Sequence, residues 1–144
     1  MLKYSIKLNV VSMIYAFLLC LLIELQMNFY RIMRITRWDG DRVDVGITII
    51  SWILFVLTTG ITMWLTAKWL TQRKSNFYMM LLWAPYFFLF ITVFARLFPI
   101  TDPGETPAPV TGLIAIFMIL VYPLYIGVIT GGARMLNNYK MKSS

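Results

Sequence analysis

The chain has 144 residues, 60% of them hydrophobic and 13% charged, with a mean hydropathy of +0.75. A soluble domain carries roughly 25% charged and about 45–50% apolar residues, so this composition excludes a soluble globular domain and points to a bilayer. The net charge of +7 lies between and beside the apolar runs, where it orients helices and meets anionic headgroups, not nucleic acid.

One membrane domain over residues 1–144 is the organisation this length allows. There is no His, which removes His-based zinc sites, His-ligated haem and the commonest general base. The single Cys20 has no intrachain disulfide partner.

Lys3 and Lys7 lead into the first apolar run, with Glu24, Gln26 and Asn28 standing where a signal peptide would need a small-residue cleavage site. A retained anchor helix over about residues 8–30 is therefore expected. Ser12, Ala16, Cys20, Glu24 and Asn28 recur every fourth residue and form one slowly drifting stripe on a helix. Small side chains admit a second helix closely, and a carboxylate in lipid should face protein or water. Ten large apolar residues, at about −0.3 to −0.6 kcal/mol each, offset the roughly +2.5 to +3.5 kcal/mol of a central acid. The helix inserts with little to spare.

Arg31, Arg34 and Arg37 follow at i, i+3 and i+6, interleaved with Ile32, Met33 and Ile35 and closed by Trp38. This is a short amphipathic extension at headgroup level. With Arg42 it presents a cluster for anionic headgroups or an anionic ligand. Asp39-Gly40-Asp41 reads as a turn.

The second helix is expected over about residues 46–66, with Ser51, Thr58, Thr62 and Thr66 forming a hydroxyl stripe. The stripe serves helix packing or lines a polar path. A basic connection over residues 72–76 makes the next helix an antiparallel neighbour. That third helix, about 77–97, is rich in aromatics and carries Pro85, a kink signal. Arg96 closes it.

Residues 98–109 form a stiff, mildly acidic Pro-rich hairpin. The fourth helix is expected over about 110–130, with Pro123 inside it, the small-residue pair Gly127 and Gly131, and then a basic polar tail.

An all-α bundle of four transmembrane helices puts both termini on one side. That side collects eight Lys and Arg (Lys3, Lys7, Lys68, Arg73, Lys74, Arg134, Lys140, Lys142), and the other has five (Arg31, Arg34, Arg37, Arg42, Arg96). The positive-inside rule then places both termini in the cytoplasm of a plasma (inner) membrane. Glu24 and Arg96 fall under the same outer surface, about 6 Å apart in depth, so an ion pair between them is expected.

No catalytic set, cofactor motif or metal-ligand spacing stands out, so a non-catalytic role is expected. The first reading is an accessory subunit or assembly factor of a bacterial plasma-membrane complex, packing through Ser12, Ala16, Cys20, Gly127 and Gly131. Its partners would be membrane lipids and another integral membrane protein, or further copies of itself, and no nucleic acid. The second reading is a homo-oligomeric small transporter or channel lined by Glu24 and the hydroxyl stripe. The third is a sensor or immunity-type factor that meets an envelope ligand through the arginine cluster.

Overall fold

The computed structural model describes residues 2–70 and 74–143, with only the backbone described at 74 and 137–143. Arg73, and the side chains of Lys74, Lys140 and Lys142 counted above, lie outside the described residues. The described residues are 90% helical, with no strand among them. It comprises α1 (Leu2–Met27), α2 (Phe29–Thr36), α3 (Gly40–Trp69), a 3-10 turn (Lys74–Tyr78), α4 (Met79–Leu97), a second 3-10 turn (Pro103–Glu105) and α5 (Pro109–Ser143).

Four helical stretches, Leu2–Met27, Gly40–Trp69, Ser75–Leu97 and Pro109–Leu136, are long and apolar enough to cross a membrane. Even the 23-residue stretch reaches about 34 Å at 1.5 Å per residue, against a hydrocarbon core of about 30 Å.

Helix ends differ from the sequence expectation, each for a local reason. α1 begins at Leu2 because nothing before residue 8 breaks a helix, and Lys3 and Lys7 ride inside it. It stops at Met27, not at residue 30, because Asn28 leaves the helical region (φ −95°, ψ 16°). The Asn28 side-chain amide donates to the Glu24 carbonyl at 2.9 Å, the local competition that interrupts helices at Asn. The arginine-rich segment is thus a separate eight-residue helix, α2, which ends where Arg37 adopts φ 57° in the left-handed region.

Asp39-Gly40-Asp41 is the entry to α3, not a free-standing turn. Asp39 is extended at the N-cap position, Asp41 sits in the first turn where the helix dipole favours an acid, and Val43 and Ile47 are already buried. α5 runs on through the basic tail, whose Arg, Met, Leu and Lys are good helix formers. Pro85 and Pro123 lie inside α4 and α5 without ending them. Spanning helices tolerate such breaks where neighbours re-satisfy the backbone.

α1 is the hub. Over its apolar centre 56% of the helix is buried, against 11% for α3 and 17% each for α4 and α5. A helix apolar all round belongs in such a position. α4 runs parallel to it: Tyr4 donates to Asn76 Oδ1 at 2.6 Å near the start, Tyr86 to Asn9 Oδ1 further along, and Phe17 meets Phe90 edge-on at 5.6 Å.

α3 and α5 run parallel to one another, with Thr59 and Tyr125 sharing a hydroxyl hydrogen bond at 2.6 Å. At mid-span Tyr122 donates to the Tyr15 carbonyl at 2.6 Å, tying α5 to α1. Trp83, Phe87 and Ile126 close the core around this point.

Lipid tails are as apolar as Leu, so such contacts and close packing, not water exclusion, hold these helices together. Trp52, Val56 and Trp64 of α3 and Leu120, Leu124 and Val128 of α5 are large apolar residues that the chain's own helices leave uncovered.

Candidate functional site

The polar chemistry gathers at the end where α1 and α4 finish. There the turn Pro103–Glu105 folds back over α1 and α2. Asp102 makes the turn by accepting from the Gly104 amide at 2.8 Å, with Pro103 opening it. The turn carries Glu105 inward, where its side chain is only 3% exposed.

Arg31 Nε donates to Glu105 Oε2 at 2.9 Å, and Arg34 Nε to Oε1 at 2.6 Å. The two remaining nitrogens of Arg31 donate to the carbonyls of Phe98 (3.1 Å) and Pro99 (2.9 Å). One guanidinium therefore binds a carboxylate and two backbone acceptors, which suits its planar fork of donors. Hydrogen bonding from Arg31, foremost, holds the Glu105 carboxyl below its ordinary range; burial opposes that, and Arg34 reinforces it. The result is a clamp that fixes the α4–α5 connection onto the α1–α2 junction.

Beneath this clamp lies a cavity of about 340 Å³ between the ends of α1 and α4. Its lining includes Glu24, Met27, Asn28, Phe94, Phe98 and Pro107. Asn28 donates to Glu24 Oε2 at 2.9 Å from one amide hydrogen and to the Glu24 carbonyl from the other.

A second crevice of about 390 Å³, between α1, α3 and α5, is walled by Leu22, Trp52, Phe55, Ile114 and Met118, with Gln26 and Ser51 at its edge. Ser51 Oγ is buried there with no hydrogen-bond partner among the described residues.

The sequence-predicted residues are distributed as follows. Ser12 (0% exposed), Ala16 (0%) and Cys20 (4%) are covered by the chain's own helices, so this face of α1 lies inside the protein. Gly127 sits under Met80, whose Sδ and Cε would lie only 3.3 Å from an added Cβ, whereas nothing lies within 4 Å of the same point at Gly131.

The expected pair of Glu24 with Arg96 is not formed. Among the described residues the ion pairs are Arg31 and Arg34 with Glu105, and Arg42 with Asp39 at 3.5 Å. Arg96 is exposed at the end of α4, and Glu24 takes its hydrogen bond from Asn28, one turn away. Depth along the helices brought Glu24 and Arg96 level, but rotation about α4 turns Arg96 outward.

Within the arginine cluster, Arg31 and Arg34 are engaged by Glu105, while Arg37 and Arg42 remain exposed. In the hydroxyl stripe, Thr62 and Thr66 are buried beside Tyr15, and Thr62 donates to the Thr58 carbonyl at 2.8 Å. Ser51 lines the α1–α3–α5 crevice and Glu24 the α1–α4 cavity.

Glu105 was not anticipated. Its signal was present: it is an acid in a Pro-Gly turn at the same end as two arginines three residues apart. Comparison of the chain with known protein families, curated proteins and solved structures finds no match.

Proposed function

We propose that this chain is a small, non-catalytic integral membrane subunit or assembly factor of a plasma-membrane complex. In this reading it is a four-helix bundle with both termini on the cytoplasmic side, by the excess of Lys and Arg at that end. It docks on a second membrane protein through the outward face of α5.

The supporting observation is the open glycine on that face. Gly127 and Gly132 are covered by Met80 and Met63, but Gly131 faces open space. It forms a notch in a ridge made by Leu124, Val128 and Met135, which are 64%, 72% and 73% exposed. A backbone-deep notch in an apolar ridge lets another helix approach closely.

The experiment is purification in a mild detergent, with and without Gly131→Leu. A Cβ added at residue 131 meets nothing within 4 Å, and an unchanged circular dichroism spectrum and melting profile of the variant checks that its own fold is retained. A stoichiometric second polypeptide, lost in the variant, is the expected result. A chain that purifies alone, or retains its partner despite the leucine, refutes the proposal. A homo-oligomeric transporter is the second reading, favoured by Glu24 lining a cavity. It requires a self-associated protein that carries solute into liposomes.

A further inference from the structure

We propose that the α1–α4 cavity is a binding site for a small amphiphilic ammonium ion, a primary or secondary amine in its protonated form carrying a compact apolar body. The inference goes beyond the subunit reading and does not depend on it.

The first argument is the inventory of unfilled valences. Both amide hydrogens of Asn28 are taken, one by Glu24 Oε2 and one by the Glu24 carbonyl. Asn28 is thereby oriented so that its Oδ1 is left as an acceptor. Among the described residues no donor reaches Glu24 Oε1. The two polar side chains lining the cavity, Glu24 and Asn28, thus offer free acceptors, one of them on a carboxylate, and no free donor. A ligand that brings N–H donors and a positive charge completes this set, and an anion or a pure acceptor does not.

The second argument is the local charge. Arg31, the basic residue nearest the cavity, is turned to Glu105 at 2.9 Å and to two loop carbonyls. Arg34 is bound to the other oxygen of Glu105, and Arg96 is exposed on α4. Glu24 is left without a cation at ion-pair distance among the described residues.

The third argument is the wall and the roof. Phe94 and Phe98 pair at 5.0 Å between ring centroids and, with Met27 and Pro107, present apolar and aromatic surface to the ligand body. The clamp on Phe98, Pro99 and Glu105 holds that roof in place before any ligand arrives, which lowers the ordering cost of binding. A volume of about 340 Å³ corresponds to on the order of ten water-sized units, enough for a ring and a short amine arm.

The test titrates the full chain in detergent with benzylammonium and, in parallel, with benzyl alcohol, which has the same shape without the charge. Binding is followed by saturation-transfer NMR. Saturable binding of benzylammonium is expected, at least about tenfold tighter than benzyl alcohol and weakened by about tenfold or more in Glu24→Gln. Ala95→Phe, at a position of α4 that lines the cavity, leaves the carboxylate in place, puts a ring into that space and abolishes binding; this variant decides the matter if Glu24→Gln does not fold. Equal affinity for the two probes, undiminished binding in either variant, or no binding at all overturns the proposal. Displacement of benzylammonium by equimolar sodium also overturns it and assigns the site to a metal ion.

Discussion

Replacing Tyr122 with Phe removes one oxygen from the middle of the protein and leaves the ring. That hydroxyl donates at 2.6 Å to the Tyr15 carbonyl, in a place where Tyr122 is 6% and Tyr15 0% exposed. The Tyr15 carbonyl keeps its helical partner four residues on, so the substitution strands no buried acceptor. What is lost is the net value of one interhelical hydrogen bond, about 0.6 kcal/mol on average in membrane proteins and up to about 1.7. A short, dry bond belongs to the upper half of that range. Tyr122→Phe should therefore cost about 1 to 1.5 kcal/mol.

Tyr122→Ala also removes the ring that meets Trp83 at 5.1 Å and Tyr125 at 5.4 Å. It should cost about 3–5 kcal/mol, as for other large aromatic truncations. The assay is reversible unfolding in mixed micelles of alkyl maltoside and dodecyl sulfate, followed by tryptophan fluorescence. A Phe variant as stable as the parent would mean that the hydroxyl does not join α5 to α1. A Phe variant as damaged as the Ala variant would mean that the ring does not pack where it is placed.

Two further outcomes follow from the same geometry. Glu105 titrates below its ordinary value of 4.5 when folded, so the clamp is at full strength above about pH 4.5 and weakens as pH falls through the lower folded value. The protection of backbone amides over residues 98–106, taken as the exchange rate relative to the intrinsic rate at each pH, should fall in that acid window, and Glu105→Gln should show the low protection already at neutral pH; a protection that does not change with pH in the parent would refute the clamp. Ala16→Leu adds three carbons at a position with 0% exposure and should destabilise by about 1–3 kcal/mol through overpacking. Met13→Leu, a swap of similar volume on the exposed side of α1, should be near neutral in the same micelle titration.

Much of this arrangement is legible in the chain itself, because a run of some twenty apolar residues has one common use. On α1, Ser12, Ala16 and Cys20 are all covered by the chain's own helices, a placement that small side chains at every fourth residue permit. The ends are less legible. Lys3, Lys7 and Asp41 are polar and still helical, since a helix does not stop where the lipid does. The ion pairing was hardest to read. Residue counting gives a depth along each helix, which made Glu24 and Arg96 look like partners, but it carries no rotation and no path for the loop. The path of residues 98–109 brings Glu105 to Arg31 and Arg34, and that depends on a turn three residues long.

The helix that the others surround is also the one made before them. Tyr15 and its donor Tyr122 lie 107 residues apart, so when α1 leaves the ribosome the segments that will enclose it have not been synthesised. Its carboxylate meets the bilayer alone until α3 and α4 follow, and the Tyr15 carbonyl gains its Tyr122 donor only when translation reaches α5. The tie between the first span and the last therefore forms only once every other helix has been made.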